Sequence, residues 1–197
     1  MAGGIAFFWL IEGAVPFVKF SYNKWQHARI NIFFTLTIVI INFCLAALLL
    51  TIANWTTVNR IGILEWLPKI NGWIYTILGL LLLDLIGGYL VHLVEHKVKF
   101  FWRFNLIHHK DTYVDTTSGN RHHSGESVIR FVFTTLGVLI VGSPIWMVFL
   151  YQTLSDVATQ FNHANSTLTK KNRRVIKLLF CFTRYAQSTP SLCFTLY

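Results

Sequence analysis

The sequence predicts an all-α integral membrane protein with two transmembrane helices and a helical hairpin. Three observations lead there. The chain of 197 residues is 54% hydrophobic and only 13% charged, where a soluble domain carries about a quarter charged residues. Its mean hydropathy is +0.51. Its 17 basic residues stand in short clusters beside apolar runs, as cytoplasmic flanks of membrane helices do.

The elements follow in order. Residues 5–18 are apolar but broken by Glu12, Gly13 and Pro16, too short and interrupted for a span, and read as an interfacial helix. Lys19, Lys24 and Arg29 come next. Residues 32–52 hold no charge and form the first expected span. A polar connection over 54–69 leads to the second, 72–93, in which Asp84 is the one ionisable residue expected inside a span. Lys97, Lys99, Arg103 and Lys110 follow it. Basic residues before the first span and after the second place both ends in the cytoplasm. Residues 95–126 are polar, and 128–161 turn apolar again, split by Gly142, Ser143 and Pro144. Each half is short for a span, so a hairpin returning to the same face is expected. Lys170, Lys171, Arg173, Arg174 and Lys177 then restore the basic flank.

Composition also excludes. No basic stripe lies along a soluble fold, so no nucleic-acid partner is expected. Cys44, Cys181 and Cys193 show no Cys-x-x-Cys spacing, so neither a disulfide framework nor a thiolate zinc site is supported. The uncharged N-terminus lacks the basic region of a signal peptide.

Seven of the eight histidines fall between His92 and His163. His92 and His96 are four apart at the end of the second span, which puts both imidazoles on one helical face. His108 and His109, then His122 and His123, are adjacent pairs, and His163 closes the hairpin. Neutral imidazole is the commonest side-chain metal ligand. A lone histidine is best read as a hydrogen-bonded or surface ring, and His27 keeps that reading. Three pairs and a fourth group on one membrane face do not, and predict a cytoplasmic histidine-rich metal site. Imidazole suits iron, zinc, copper and nickel alike, and the number of rings allows two ions. The nearby acids Glu95, Asp111, Asp115, Glu126 and Asp156 are supporting candidates, with Asp111 and Asp115 read as a solvated loop with capping duties. Asp84, two turns before His92, either orients a histidine or locks helix packing. Gly88, on the same stripe, allows close helix approach.

Asp84, Tyr89, His92-x-x-x-His96, Trp102-Arg103-Phe104 leading to His108-His109, Arg121-His122-His123 and Phe161-x-His163-Ala164-Asn165 together resemble the fatty acid hydroxylase and sterol desaturase superfamily over roughly residues 70–165. The resemblance implies an integral membrane oxidoreductase, a hydroxylase or desaturase of a lipid such as a sterol or fatty acyl chain. It implies two iron ions, dioxygen as co-substrate, and electrons from NAD(P)H through a separate reductase and carrier. It implies His92, His96, His108, His109, His122, His123 and His163 as metal ligands, some of the later ones in an outer role. Asn105 stands where the family's His-x-x-His-His box begins with histidine, and an amide oxygen there can bind weakly or hold a metal-bound water. Arg121, Glu126 and Asp84 are the expected supporting residues. The competing class is a non-enzymatic metal-binding or metal-transport membrane protein, against which the scarcity of ionisable groups within the spans argues. Compactness favours a bacterial inner membrane.

The family closes its catalytic region with a further His-x-x-His-His box preceded by Pro-x-Met, and no histidine follows Lys171 here. A back-translation beginning AAA AAA AAT at Lys170, with synonymous codons chosen to favour the result, restores that box when a single A is removed. The shifted frame reads Pro-Asp-Met-His-Lys-Val-His-His-His. Residues 1–171 are therefore expected to be an incomplete membrane domain, and 172–197 an out-of-frame tail.

Overall fold

A computed structural model describes residues 2–14, 23–111 and 115–163. The expected out-of-frame tail, 172–197, lies outside the described residues. The described chain is helical and holds no strand. Its elements are α1 (Ala2–Ala14), α2 (Lys24–Val58), α3 (Ile63–Trp66), α4 (Gly72–Leu83), a π-helical segment (Asp84–Leu90), α5 (Val91–Lys97), α6 (Lys99–His109), a 3-10 turn (Thr116–Asn120), α7 (Ser124–Val141) and α8 (Ile145–His163).

Three stretches are long and apolar enough to cross a membrane: Lys24–Trp66, Gly72–Lys97 and Ser124–Val141. The first two contain the expected spans. The third exceeds expectation, because α7 begins at Ser124 and its 18 residues reach about 27 Å at 1.5 Å per residue, close to the hydrocarbon thickness. With α8 it forms the expected hairpin.

Caps define the starts. The Asn23 side chain accepts from the amides of Trp25 and Gln26, both at 3.1 Å, and Asn71 accepts from Trp73 N at 2.9 Å. These satisfy donors that a helix start leaves orphaned. Large apolar side chains such as Phe33, Ile40 and Phe43 point outward from α2, as a lipid-facing helix requires. The core gathers Ala53, Leu64, Leu83, Val138 and Met147 from five elements.

α2 leaves the histidine face, the Gly72–Lys97 stretch returns to it, α7 leaves and α8 comes back. Asn31 near the start of α2 donates to Thr117 Oγ1 at 2.8 Å, and His163 at the end of α8 lies 5.1 Å from His108, centroid to centroid. The two far-side turns interlock. Gly142 ends α7 at φ +73°, and Gly62 sits at φ +120°. A Cβ on Gly62 would fall on Gly142 N and Cα, and one on Gly142 would meet Ile61 O. The Gly62 conformation is essentially restricted to glycine. Gly62→Ala is therefore expected to cost at least about 2 kcal/mol through backbone strain and lost turn contact, read as a lowered unfolding midpoint in detergent. An unchanged midpoint would contradict the interlocked turns.

The described polar residues 115–120, ahead of α7, are buried rather than solvated. Thr116, Ser118 and Asn120 are buried. Asp115, fully buried, caps the 3-10 turn through Thr117 N and Ser118 N in a capping box. Glu12 of α1 accepts from Thr116 N at 3.0 Å and Thr116 Oγ1 at 2.8 Å, and its other oxygen pairs with Lys24 at 3.0 Å. The helix expected to be interfacial thus also clamps the turn that precedes His122. Asp111 and Asp115 were expected in a solvated loop. Their capping role stands for Asp115, but both are sequestered: His27 bridges them, Nε2 to Asp111 at 2.7 Å and Nδ1 to Asp115 at 2.9 Å. A charged loop packed under helix ends must pair its carboxylates.

Candidate metal centre

His92 and His96 share one face of α5, with ring centroids 4.5 Å apart. The following kink at Val98 turns α6 back, so that His109 comes to 5.1 Å from His96. His108 lies 5.5 Å from His109. His122 stacks on His108 at 4.7 Å with planes 12° apart, and His163 meets His108 edge-on at 5.1 Å. Six of the seven histidines singled out in the sequence thus form a continuous string at one end of the helices.

His123 is not brought to it. It is the N-cap of α7, its Nδ1 accepting from Gly125 N at 2.9 Å, and its ring lies 5.1 Å from Phe104. Adjacent side chains at a helix start diverge, so the second ring turns to its own backbone. Asp84 neighbours Gly88 and Tyr151: a Cβ on Gly88 would lie 2.7 Å from Asp84 Oδ1 and 3.4 Å from the Tyr151 hydroxyl. Asp84 opens the π-helical segment, a distortion frequent at functional sites. Asn105 is fully buried, with its Nδ2 3.4 Å from His96 Nε2. Arg121 pairs with Asp111 at 3.3 Å.

Glu126 is fully buried, with Oε1 2.8 Å from His122 Nδ1 and 3.0 Å from Arg130 Nη2. The same Arg130 nitrogen lies 2.9 Å from Glu95 Oε2. Glu95, also fully buried, comes within 3.7 Å of His92 Nδ1. One guanidinium therefore joins two carboxylates, and each carboxylate faces a histidine. Arg130 was overlooked in the sequence, and Asp84 is not the only ionisable group within a span-length helix. The signal was present: Glu126 and Arg130 are spaced i, i+4 at the mouth of an apolar run, and charge there is a functional hypothesis by default.

The donor chemistry fits a metal. His92 Nε2 and His108 Nδ1 are buried with no hydrogen-bond partner, as is Asn105 Oδ1. Burial of an unpaired polar atom is costly unless something satisfies it. Nδ1 of His163 is tied to Thr159 O at 2.9 Å, so Nε2 is the nitrogen it can offer a metal. The six rings form a string rather than a closed cage: among the described residues, no three His, Cys, Asp or Glu donors are gathered at metal-holding spacing. Imidazole nitrogens ligate at about 2.0–2.1 Å, and rings with centroids 4.5–5.5 Å apart can converge on a shared ion by side-chain rotation.

Burial favours the neutral form of His108, His109 and His163. Burial, reinforced by His122 and His163, pushes His108 well below the ordinary imidazole range, and burial lowers His109 and His163 as well. Unfolding returns each ring to about 6.5, so the unfolded chain binds more protons as the pH falls. The stability these rings contribute is complete above about pH 6.5 and is lost as the pH drops toward the depressed values. The unfolding midpoint of the metal-free protein should therefore fall between pH 7 and pH 5, and a flat profile would contradict neutral burial.

A family model described as fatty acid hydroxylase matches residues 76–188, more than half of the chain and all of the histidine string. No curated protein and no solved structure matches significantly. The all-helical membrane-spanning architecture, the histidines at one helix end and the match over most of the second half agree: the chain belongs to the fatty acid hydroxylase family.

Proposed function

We propose that this protein is a membrane oxidoreductase that hydroxylates or desaturates a lipid at a diiron centre. The observation that carries the reading is the string of six imidazoles, two of which hold buried nitrogens with no partner. His92, His96, His108, His109, His122 and His163 would hold the metals, with Asn105 offering an amide oxygen where a seventh imidazole is absent. Two iron ions there would supply dioxygen activation and the oxidising power to break an unactivated C–H bond, with electrons from NAD(P)H through a separate reductase.

The chain's own residues do the rest. Glu126 and Glu95 orient His122 and His92, and Arg130 bridges the two carboxyl groups and holds them in place. Thr159 fixes the His163 tautomer. The buried 3-10 turn and α1 close the site against water. Basic residues at the histidine end, Lys97, Lys99, Arg103 and Lys110 among them, support a cytoplasmic site, and compactness favours a bacterial inner membrane.

We further propose that the reading frame changes near Lys170, so that the chain lacks its last histidine box and binds iron weakly. Resequencing the gene checks this directly; codons that cannot yield the box in another frame would rule it out. The functional test is iron content and lipid oxidation by this chain and by a frame-restored chain. Iron bound with oxidation in the restored form supports the proposal. Equal metal in both forms with no lipid oxidation under reducing conditions would favour a non-enzymatic metal-binding protein.

A further inference from the structure

α6 has three faces. At about 100° per residue, Trp102, Asn105, His108 and His109 share one arc, and the structure turns that arc inward. Asn105 is fully buried, the Trp102 and His109 rings each lie 5.1 Å from His96, and His108 meets His122 and His163. Lys99, Arg103 and the C-cap Lys110 form a second stripe, within about 40° of one another, and all three are exposed. Phe100, Phe104 and Ile107 form the third face, beside the cations.

The third face shows where the helix sits. The Phe104 ring lies 5.1 Å from His123, and a Cβ on Gly125 would meet it, so Phe104 rests on the first turn of α7. Phe100 packs edge-on against Phe104 at 5.4 Å and is 60% exposed. Further along α7, Val128, Val132, Leu136 and Ile140 are exposed at four-residue steps on one face. That apolar stripe faces lipid tails, and Phe104 and Phe100 continue it past the start of α7. The apolar edge of α6 thus lies against the tails, with the cations at the level of the headgroups.

The cations are not used by the fold. Among the described residues, Lys99, Arg103 and Lys110 enter no ion pair. The acids of the same end are engaged elsewhere: Glu95 and Glu126 by Arg130, Asp111 by His27 and Arg121, and Glu12 by Lys24. Exposed cations beside an exposed aromatic ring are the pattern of a helix lying in a membrane interface. Long basic side chains there rest their stems on apolar surface and carry the charge to the phosphates. Each gains from the negative potential of an anionic leaflet. An acidic soluble protein would match the charge but not the aromatic edge that continues the lipid-facing stripe of α7.

We propose that α6 docks on an anionic leaflet, its Lys99–Arg103–Lys110 stripe binding phospholipid headgroups and Phe100 seated among the upper tails. The charge of the membrane then steadies, from outside, the helix that presents Asn105, His108 and His109 inward. This docking stands apart from what the histidines bind.

The test uses the full metal-free chain in nanodiscs of phosphatidylcholine, with or without phosphatidylglycerol. Amide hydrogen exchange over 99–110 is followed by mass spectrometry. An anionic surface slows exchange at every amide near it, so the reference is the triple variant Lys99→Gln, Arg103→Gln, Lys110→Gln in the same discs. In the anionic disc, α6 of the wild type should exchange at least about tenfold more slowly than that of the triple variant, within what three cations gain at such a surface. In the neutral disc the two should match. Phe100→Ser should lose part of the protection with every cation in place, and high salt should remove most of it. Lys69→Gln, an exposed cation between α3 and α4 at the far side, should change nothing. Equal exchange of wild type and triple variant in the anionic disc overturns the proposal. So does protection that soluble polyglutamate produces and phosphatidylglycerol does not, which would assign the stripe to an acidic protein.

Discussion

Replacing Arg130 with methionine should destabilise the protein by about 3 kcal/mol, the lower end of what breaking a buried ion pair costs. The reason lies in what remains. Glu95 and Glu126 are both fully buried, and their other oxygens, Glu95 Oε1 and Glu126 Oε2, already lack partners. Arg130 supplies three contacts, Nη2 at 2.9 and 3.0 Å and Nε at 3.1 Å. Without it, two carboxylates face each other with no cation between them in a low-dielectric seam. The loss stays at the low end because 34% of the Arg130 side chain is exposed, so the pair is not fully desolvated. Arg130→Lys should fall between wild type and Arg130→Met, since an ammonium cannot reproduce the fork. The control is the triple change Glu95→Gln, Glu126→Gln, Arg130→Met, which removes the charges with the cation and should recover at least half of the loss. Unfolding midpoints in detergent give the comparison. If Arg130→Met melts with wild type, the three groups do not act as an ion-paired unit.

That network also marks where the sequence stopped being legible. Membrane helices announce themselves through uninterrupted apolar runs, so the first two spans and the hairpin could be read from 32–52, 72–93 and the break at Gly142-Ser143-Pro144. The imidazoles were equally visible, because His92 and His96 share a face by spacing alone. What spacing cannot supply is the direction of side chains from different elements. His122 and His123 are adjacent and looked equivalent. One became a member of the string, and the other a helix cap against Phe104. Arg130 hid inside an apolar run, and its partner Glu95 lies 35 residues away, a pairing that only the return of the chain creates. Asp111 and Asp115 looked like members of a solvated loop. Its polarity is instead used internally, since Asp115, Thr116 and Ser118 are consumed by capping the turn and by Glu12 from the far end of the chain. Polar residues that bond one another read, in sequence, the same as polar residues that bond water.

The separation of His122 from His123 leads to the second large effect. His108→Ala should lower affinity for a divalent metal probe such as Co(II) by at least about a hundredfold, more than the loss of an outer partner typically costs. His108 contacts His109, His122 and His163, and its buried Nδ1 has no other partner, so its removal breaks the string at its middle. His123→Ala should change metal affinity less than about threefold and instead cost about 1 kcal/mol of stability, as the loss of an N-cap does. The two variants therefore predict opposite patterns: His108→Ala folds and fails to bind, and His123→Ala binds and melts early. Asn105→His, which completes the local His-x-x-His-His spacing beside His96, should strengthen binding if its ring can replace the amide without displacing His96. Co(II) titration followed by visible absorption reads ligation, and thermal unfolding of the metal-free protein reads the cap. Equal loss of metal in His108→Ala and His123→Ala would mean that His123 ligates as well as His108, and would move the centre toward α7.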